Sequence, residues 1–269
     1  MASVTFYTYP LAFNPAKAKL ALDEKGIKYI EKKIDIIGSQ SLEPWYIKLN
    51  PAGSAPTLVA GDKVIPESSD IIRWADEQGD GPLGGDKVDR QFVAQWLKKV
   101  DSWDGNLYAA AWSGAGSFLK VSNNHKIKVA EAAAKRNPDL ADVYKKKIES
   151  LKRINEEPSN KELVEANKAQ LVELLDEADI RLSSMKYLAG DEYSMADVIF
   201  TPVLYRIPQV SQEKELLDPR VNVKKYWGDL KQRPSYKTTF AASDNPVYAA
   251  KTALPSLFNI LYSKVTNQY

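Results

Sequence analysis

Residues 49–74 read LNPAGSAPTLVAGDKVIPESSDIIRW, and the reading of the whole chain turns on them. Residues 57–59 are a short, largely β-branched run, Gly61-Asp62 is a turn signal, and residues 63–65 return as a second strand, which predicts a β-hairpin. A helix follows at once. Ser68 or Ser69 can cap it, Asp70 suits its positive end, and Ile71, Ile72 and Trp74 open its apolar face. The free N–H groups of such a helix start suit a carboxylate. Ala55-Pro56 stands between a Gly-Ser turn and the first strand. An X–Pro bond at this place is either cis, with the backbone of Ala55 unpaired and presented outward, or trans in an ordinary turn.

Upstream, residues 4–9 (VTFYTY) are β-branched and aromatic throughout, and Pro10 ends them. After a loop at 11–13, Asn14-Pro15 predicts a helix start, with Asn as N-cap and Pro at the first helical position. Ala18, Ala21 and Leu22 form its buried face up to a stop at Gly26. Residues 27–35 predict a second strand with Ile30 and Ile34 on one face. The element order is therefore βαβ, then ββα.

The order LNPxGxxP, two strands, then ESxxII resembles the glutathione-binding half of the glutathione transferase superfamily, a thioredoxin-like domain. The resemblance implies that Pro56 is a cis-proline. It also implies that Ala55, with Ser54 beside it, offers its backbone to the cysteinyl part of glutathione, while Glu67 and Ser68 hold the γ-glutamyl end. The chemistry agrees, because a helix N-terminus and a serine hydroxyl suit an α-carboxylate and Glu67 suits an ammonium. The family places its thiol-activating residue between the first strand and the first helix. The usual serine or cysteine positions fall here on Ala12 and Phe13, so Asn14 becomes the catalytic candidate, its amide N–H donating to the thiolate. Serving as N-cap is its other reading; the two are compatible, because the amide nitrogen stays free while the oxygen caps. Tyr7 and Tyr9 are alternative donors that otherwise pack in or beside the sheet. The basic residues that often meet the glycyl carboxylate of glutathione in this family are replaced by Ser39-Gln40-Ser41-Leu42, with Lys48 as the nearest substitute.

Residues 79–86 are Gly-rich and polar and read as a linker. Beyond them Phe92, Trp96, Val100 and Trp103 recur at helical spacing and predict core packing. Tyr108 and Trp112, together with Phe13, are the expected walls of a pocket for an apolar second substrate. Residues from about 120 to 160 form a charge-rich insertion that reads as a solvated helical face with no nucleic-acid role. Ser194 and Asp197 have capping-box spacing ahead of an apolar run at 198–204, the expected central helix. The motif YLAGDxxSxADV resembles the helical domain of the same family, and Arg233-Pro234-Ser235-Tyr236 resembles its recurrent ending. The expected architecture is thus an α/β thioredoxin-like N-terminal domain over 1–78, a linker over 79–86, and an all-α domain over 87–240. A tail over 241–269 packs back over the helices, with contact to a membrane surface as the second reading. Within the family the chain looks most like the plant tetrachlorohydroquinone-dehalogenase-like class.

Composition sets limits on this picture. Hydrophobic residues make up 44% and charged residues 27%, ordinary for a globular protein, and a net charge of +2 gives no nucleic-acid footprint. No cysteine is present, which excludes disulfides, thiolate metal sites and any mechanism through an enzyme thiol. The single histidine, His125, cannot build a metal cluster and reads as solvated; no metal is expected. No apolar run reaches the ~18 residues of a spanning helix. The first strand begins so early that no presequence is expected, and with it a cytoplasmic protein. The function implied by the resemblance is detoxification by a homodimer that takes glutathione as substrate and turns its thiolate on a small apolar electrophile or hydroperoxide. A non-catalytic carrier of apolar ligands on the same fold is the alternative, and a partner-binding scaffold the third.

Overall fold

β1 (Val4–Thr8) turns Phe6 and Thr8 to one face and Tyr7 to the other, the period of two that a strand imposes. The computed structural model, which describes residues 3–114, 116–267 and 269, sets β1 inside a four-stranded sheet ordered β2-β1-β3-β4. β2 (Ile30–Lys33) runs parallel to β1, with Thr5 opposite Ile30, and is reached through α1 (Phe13–Glu24), the crossover that a parallel pair requires. It is shorter than the sequence suggests. As the edge strand it leaves Ile30 exposed, while Ile34 just beyond it is buried. β3 (Thr57–Ala60) lies antiparallel to β1 with Tyr7 opposite Thr57, and β4 (Lys63–Ile65) completes the hairpin through Gly61 at φ +60°, a left-handed turn position that glycine takes without steric cost.

α3 (Ser68–Asp76) packs beside α1 on the Phe6 face, so that Ile71, Ile72 and Ala75 meet Ala18, Ala21 and Leu22. A short α2 (Pro44–Leu49) covers the Tyr7 face instead, with Tyr7 edge-on to Tyr46. The Gly-rich stretch after α3 is pinned and not free. Lys25 donates to the carbonyls of Asp76 and Gly81, and Arg90 to those of Pro82, Leu83 and Gly85.

Among the described residues ten helices follow: α4 (Arg90–Asp101), α5 (Gly105–Trp112), α6 (Gly116–Arg136), α7 (Ala141–Glu156), α8 (Lys161–Leu182), α9 (Met195–Gln209), α10 (Glu213–Leu216), α11 (Val221–Leu230), α12 (Pro234–Asp244) and α13 (Pro246–Thr266). α9 is the central one, buried continuously from Met195 to Leu204. Its first turn is organised by the Asp197 carboxylate, which accepts from the backbone N–H groups of Leu188 (3.0 Å) and Ser194 (2.8 Å) and from the hydroxyls of Ser194 (2.9 Å) and Tyr226 (2.7 Å). The capping box is present as the sequence predicts. Arg233, at the cap of α12, makes two hydrogen bonds to Glu24 of α1 (2.8 and 2.7 Å) and stacks on Tyr193, which joins the helical half to the sheet half.

Two regions differ from expectation. The charged insertion is a helical hairpin, α6–α7, whose inner face is not solvated: Ala130, Ala133 and Tyr144 pack on Leu42 just before α2 and on Ile47 within it. His125 on the same face is buried, with its ring 5.8 Å from that of Tyr269. The tail forms α13, unbroken at Pro255, and it crosses from the helices to the sheet half. Ser256 is buried with its Cα only 3.3 Å from where a Cβ on Gly38 would stand, and Lys33 donates to Tyr248 (2.6 Å). Among the described residues no helix is long and apolar enough to cross a membrane.

Asp197→Ala is expected to lower the unfolding free energy by about 3–5 kcal/mol, since it strands the donors of Leu188, Ser194 and Tyr226 in a dry site; Tyr226→Phe, which removes one donor only, costs about 1–2 kcal/mol. Urea unfolding followed by tryptophan fluorescence measures both.

Candidate active site

The loop between α2 and β3 is built around the side chain of Asn50, which is 1% exposed. Its Nδ2 donates to Ser54 O and Thr57 Oγ1, both at 3.0 Å, with longer contacts to Pro56 O (3.5 Å) and Pro66 O (3.4 Å); its Oδ1 accepts from Ala52 N (3.0 Å). Tyr46 adds a hydroxyl bond to Ser54 O (2.7 Å). These side chains occupy the carbonyls on either side of Ala55 and leave Ala55 alone. The Ala55-Pro56 bond is cis, and among the described residues neither the N–H nor the C=O of Ala55 has a partner, although the residue is only 8% exposed. Backbone groups so sheltered ordinarily find a hydrogen bond. A peptide laid alongside in extended form offers one to each.

Beside this loop α3 begins. The sequence points to Ser68 or Ser69 as its cap; the observed cap is Glu67, in extended conformation and with no side-chain bond to the helix. The N–H groups of the first turn therefore stay open, and the Ser68 hydroxyl lies among them with no partner among the described residues. Nor does Glu67 meet a cation among them. Partial burial pushes its carboxyl up, and the charges of Asp70 and Asp101 add to the shift. An unpaired carboxylate next to an uncapped helix start matches the two ends of a zwitterionic amino acid: its ammonium faces Glu67 and its carboxylate the helix. Asp101, at the end of α4, is a member that the sequence does not single out, because it reads there as one more polar residue on an amphipathic helix.

α1 supplies the other wall. It starts earlier than Asn14-Pro15 predicts: Ala12 is the cap and Phe13 the first helical residue, so Asn14 is not the cap and its side-chain amide has no partner among the described residues. Pro15 falls at the third position, still among those whose N–H has no helical acceptor. Phe13 is buried edge-on against Trp103, and a Cβ on Gly105 would stand 2.7 Å from its ring, which leaves no room there for any larger residue. Two cations meet the same ring, Lys17 with Nζ 4.6 Å and Arg206 with Cζ 5.1 Å from the centroid. Burial pulls both down, Lys17 against the opposing charge of Asp101 at 3.6 Å and Arg206 to about 10. The tyrosines are placed differently. Tyr7 faces the side of the sheet away from α1, and the hydroxyl of Tyr9 is buried and pushed up to about 12 by that burial and by Asp35.

Of the three expected pocket walls, Phe13 lines a cleft shared with Leu11, Pro202, Tyr205, Arg206 and Phe240. Tyr108 is fully buried against Trp103 with its hydroxyl on Gln212 (2.5 Å), and Trp112 lies under Lys168; neither lines the cleft.

Comparison with known proteins agrees with this geometry. Residues 14–78 match the N-terminal domain of glutathione S-transferase, and residues 122–234 match its C-terminal domain. The chain is 30% identical to glutathione S-transferase TCHQD of Arabidopsis thaliana over 232 residues, 86% of this chain and 87% of that one. It is 27% identical to the tetrachloro-p-hydroquinone reductive dehalogenase of Sphingobium chlorophenolicum over 241 residues, 88% and 96% of the two chains. Its fold is shared with glutathione transferase F2 of Populus trichocarpa, at a TM-score of 0.65, 22% identity and coverage of 88% and 97%. It is also shared with the β-etherase LigF of Sphingobium sp. strain SYK-6, at a TM-score of 0.67, 19% identity and coverage of 89% and 99%. The chain belongs to the glutathione S-transferase family and, having no cysteine, is a transferase of the non-cysteine type.

Proposed function

We propose that the protein binds glutathione, stabilises its thiolate, and transfers it to an apolar electrophile or uses it to reduce a hydroperoxide. The observation that carries this reading is the sheltered, unpaired backbone of Ala55, together with the free amide of Asn14 and the uncapped start of α3. Ala55 takes the cysteinyl residue, Ser54 stands beside it, and Pro56 shapes the loop. Glu67 takes the γ-glutamyl ammonium, and Ser68 with the α3 N–H groups takes its carboxylate. That arrangement supports a thiol held near Asn14. The Asn14 amide donates to the sulfur, and the start of α1 adds its positive end, so that the thiol loses its proton to solvent near neutral pH.

In conjugation the thiolate forms a C–S bond to the electrophile while the halide or other leaving group departs with its electron pair. With a hydroperoxide it attacks the O–O bond and releases an alkoxide that takes a proton. The resulting sulfenic acid condenses with a second glutathione to give the disulfide and water. Both routes need only glutathione as the sulfur nucleophile, which a chain without cysteine demands. The cleft at Phe13 supports an apolar co-substrate, and Arg206 at its edge supports one that develops negative charge. Cytoplasmic detoxification by a homodimer belongs to this proposal through the family resemblance alone.

The bound thiol is expected to titrate about one to two units below free glutathione when its ultraviolet thiolate absorbance is followed against pH. Binding with an unshifted thiol would leave a carrier and not an enzyme. Asn14→Ala is expected to cut kcat/KM with a test electrophile about 10–100-fold while the glutathione Kd stays within about twofold, the mark of a contact made mainly to the thiolate. Ser68→Ala acts the other way. It is expected to raise the glutathione Kd about tenfold in calorimetric titration, as lost hydrogen bonding to a carboxylate predicts, with kcat nearly unchanged.

A further inference from the structure

The α6–α7 hairpin brings Lys147 to the loop that presents Ala55 and sets Lys126 near enough to feel the charge of Lys147. Lys147 Nζ donates to Ala52 O at 2.6 Å, three residues before Ala55, and Tyr144, one turn earlier on α7, donates to Leu42 O at 2.8 Å. Ser122 on α6 donates to Ile37 O (3.1 Å), which seats the neighbourhood of Lys126 on the loop after β2. Among the described residues neither lysine has a carboxylate within ion-pair distance, and Lys126 has no hydrogen-bond partner. Burial pulls Lys147 down to about 8. Lys126 falls to about 7, through burial and then through the charge of Lys147, with only Asp35 opposing. Two withdrawn amines, one feeling the charge of the other and with only Asp35, beyond ion-pair distance, to oppose it, are costly for the fold to maintain, and an anion placed at them relieves that cost.

Among the described residues the same corner lacks any other cation suited to the task. Residues 39–42 carry none, Leu42 is buried under the hairpin, and the hydroxyls of Ser39 and Ser41 are buried without partners. Lys48 points to Asp139 at 4.0 Å on the open surface. A tripeptide extended along Ala55, with its γ-glutamyl end at Glu67 and Ser68, carries its last carboxylate about one residue, roughly 3.3–3.6 Å of chain, beyond the cysteinyl position, on the Ala52 side.

We infer that Lys126 and Lys147 form the subsite for the glycyl carboxylate of glutathione, so that the charge recognising that end of the substrate comes from the helical insertion and not from the loop after β2. This rests on the glutathione reading above. The inserted hairpin then does two things at once: it props the Ala52 carbonyl through Lys147 and reads the substrate's far carboxylate.

The test compares glutathione with γ-glutamylcysteine, which lacks the glycine, and with glutathione glycyl ethyl ester, which keeps the length and loses the charge. In calorimetric titrations of the unmodified protein, glutathione is expected to bind about 10–100-fold more tightly than either, the worth of a charge-assisted pair. Lys126→Met with Lys147→Met is expected to bring the three dissociation constants together, because glutathione loses the charged pair as well as the loop support that all three share. Equal affinities in the unmodified protein overturn the inference and leave the glutathione reading standing. A preference that survives in a folded double variant also overturns it. Failure of the unmodified protein to bind any of the three overturns the glutathione reading itself, and this inference with it. The ester comparison needs no variant, so if the double variant does not fold, the three affinities of the unmodified protein still support or overturn the subsite.

Discussion

The site depends on a single buried amide. Asn50 has two N–H donors and one oxygen, and it directs all of them to the loop that holds Ala55 and Pro56. A loop of this length could close in many ways, and ordering its backbone costs roughly 1–2 kcal/mol per residue. Asn50 and Tyr46 select one closure, in which Ser54 O and Thr57 Oγ1 are satisfied and the residue between them is not. Because Ala55 is held open before any ligand arrives, a peptide that pairs with it has little further ordering to drive.

Around that backbone the charges are divided by position. Glu67 and Asp101 make the α3 side acidic, Lys17 and Arg206 flank the Phe13 ring, and Lys126 with Lys147 make the α2 side basic. Most of these groups are at least partly withdrawn from water, where a charge is felt more strongly than on the surface. On the proposed reading, a ligand with an ammonium at one end, an acidic thiol in the middle and a carboxylate at the other would meet this sequence of signs in one orientation only.

What the sequence makes legible and what it hides divide along contact distance. The hairpin at 57–65, the start of α3, the capping box of Ser194 and Asp197 and the order of elements rest on signals a few residues apart, and each is found close to where it is expected. Glu67, Ser68 and Ala55, the proposed glutathione contacts, stand out in the sequence because they sit in one short motif. Asn14 is legible as a polar residue at the α1 start, but the cap that the sequence places on it falls on Ala12, because Phe13 is drawn into the helix to pack on Trp103 from another element. The insertion is misread for the same reason. Its lysines, alanines and glutamates have the composition of a solvated face, and only contacts spanning about a hundred residues, Tyr144 to Leu42 and Lys147 to Ala52, reveal that one side is buried. No local pattern announces such a partner. Tyr108, expected as a pocket wall, is fully buried, since periodicity shows that an aromatic is inward but not whether the space before it is filled.

The seating of the α6–α7 hairpin on the sheet half also sets a schedule for the growing chain. The sheet elements and the Asn50 loop leave the ribosome first, yet the side chains that brace Leu42 and Ala52 lie about a hundred residues later. At roughly 5–20 residues per second, that interval is about 5–20 s, long compared with the formation of helices and hairpins. During it the nascent loop has its internal bonds and none of its outer support. Its apolar side at Leu42 and Ile47 is uncovered, a window in which a chaperone or a neighbouring chain finds the surface that the hairpin later closes.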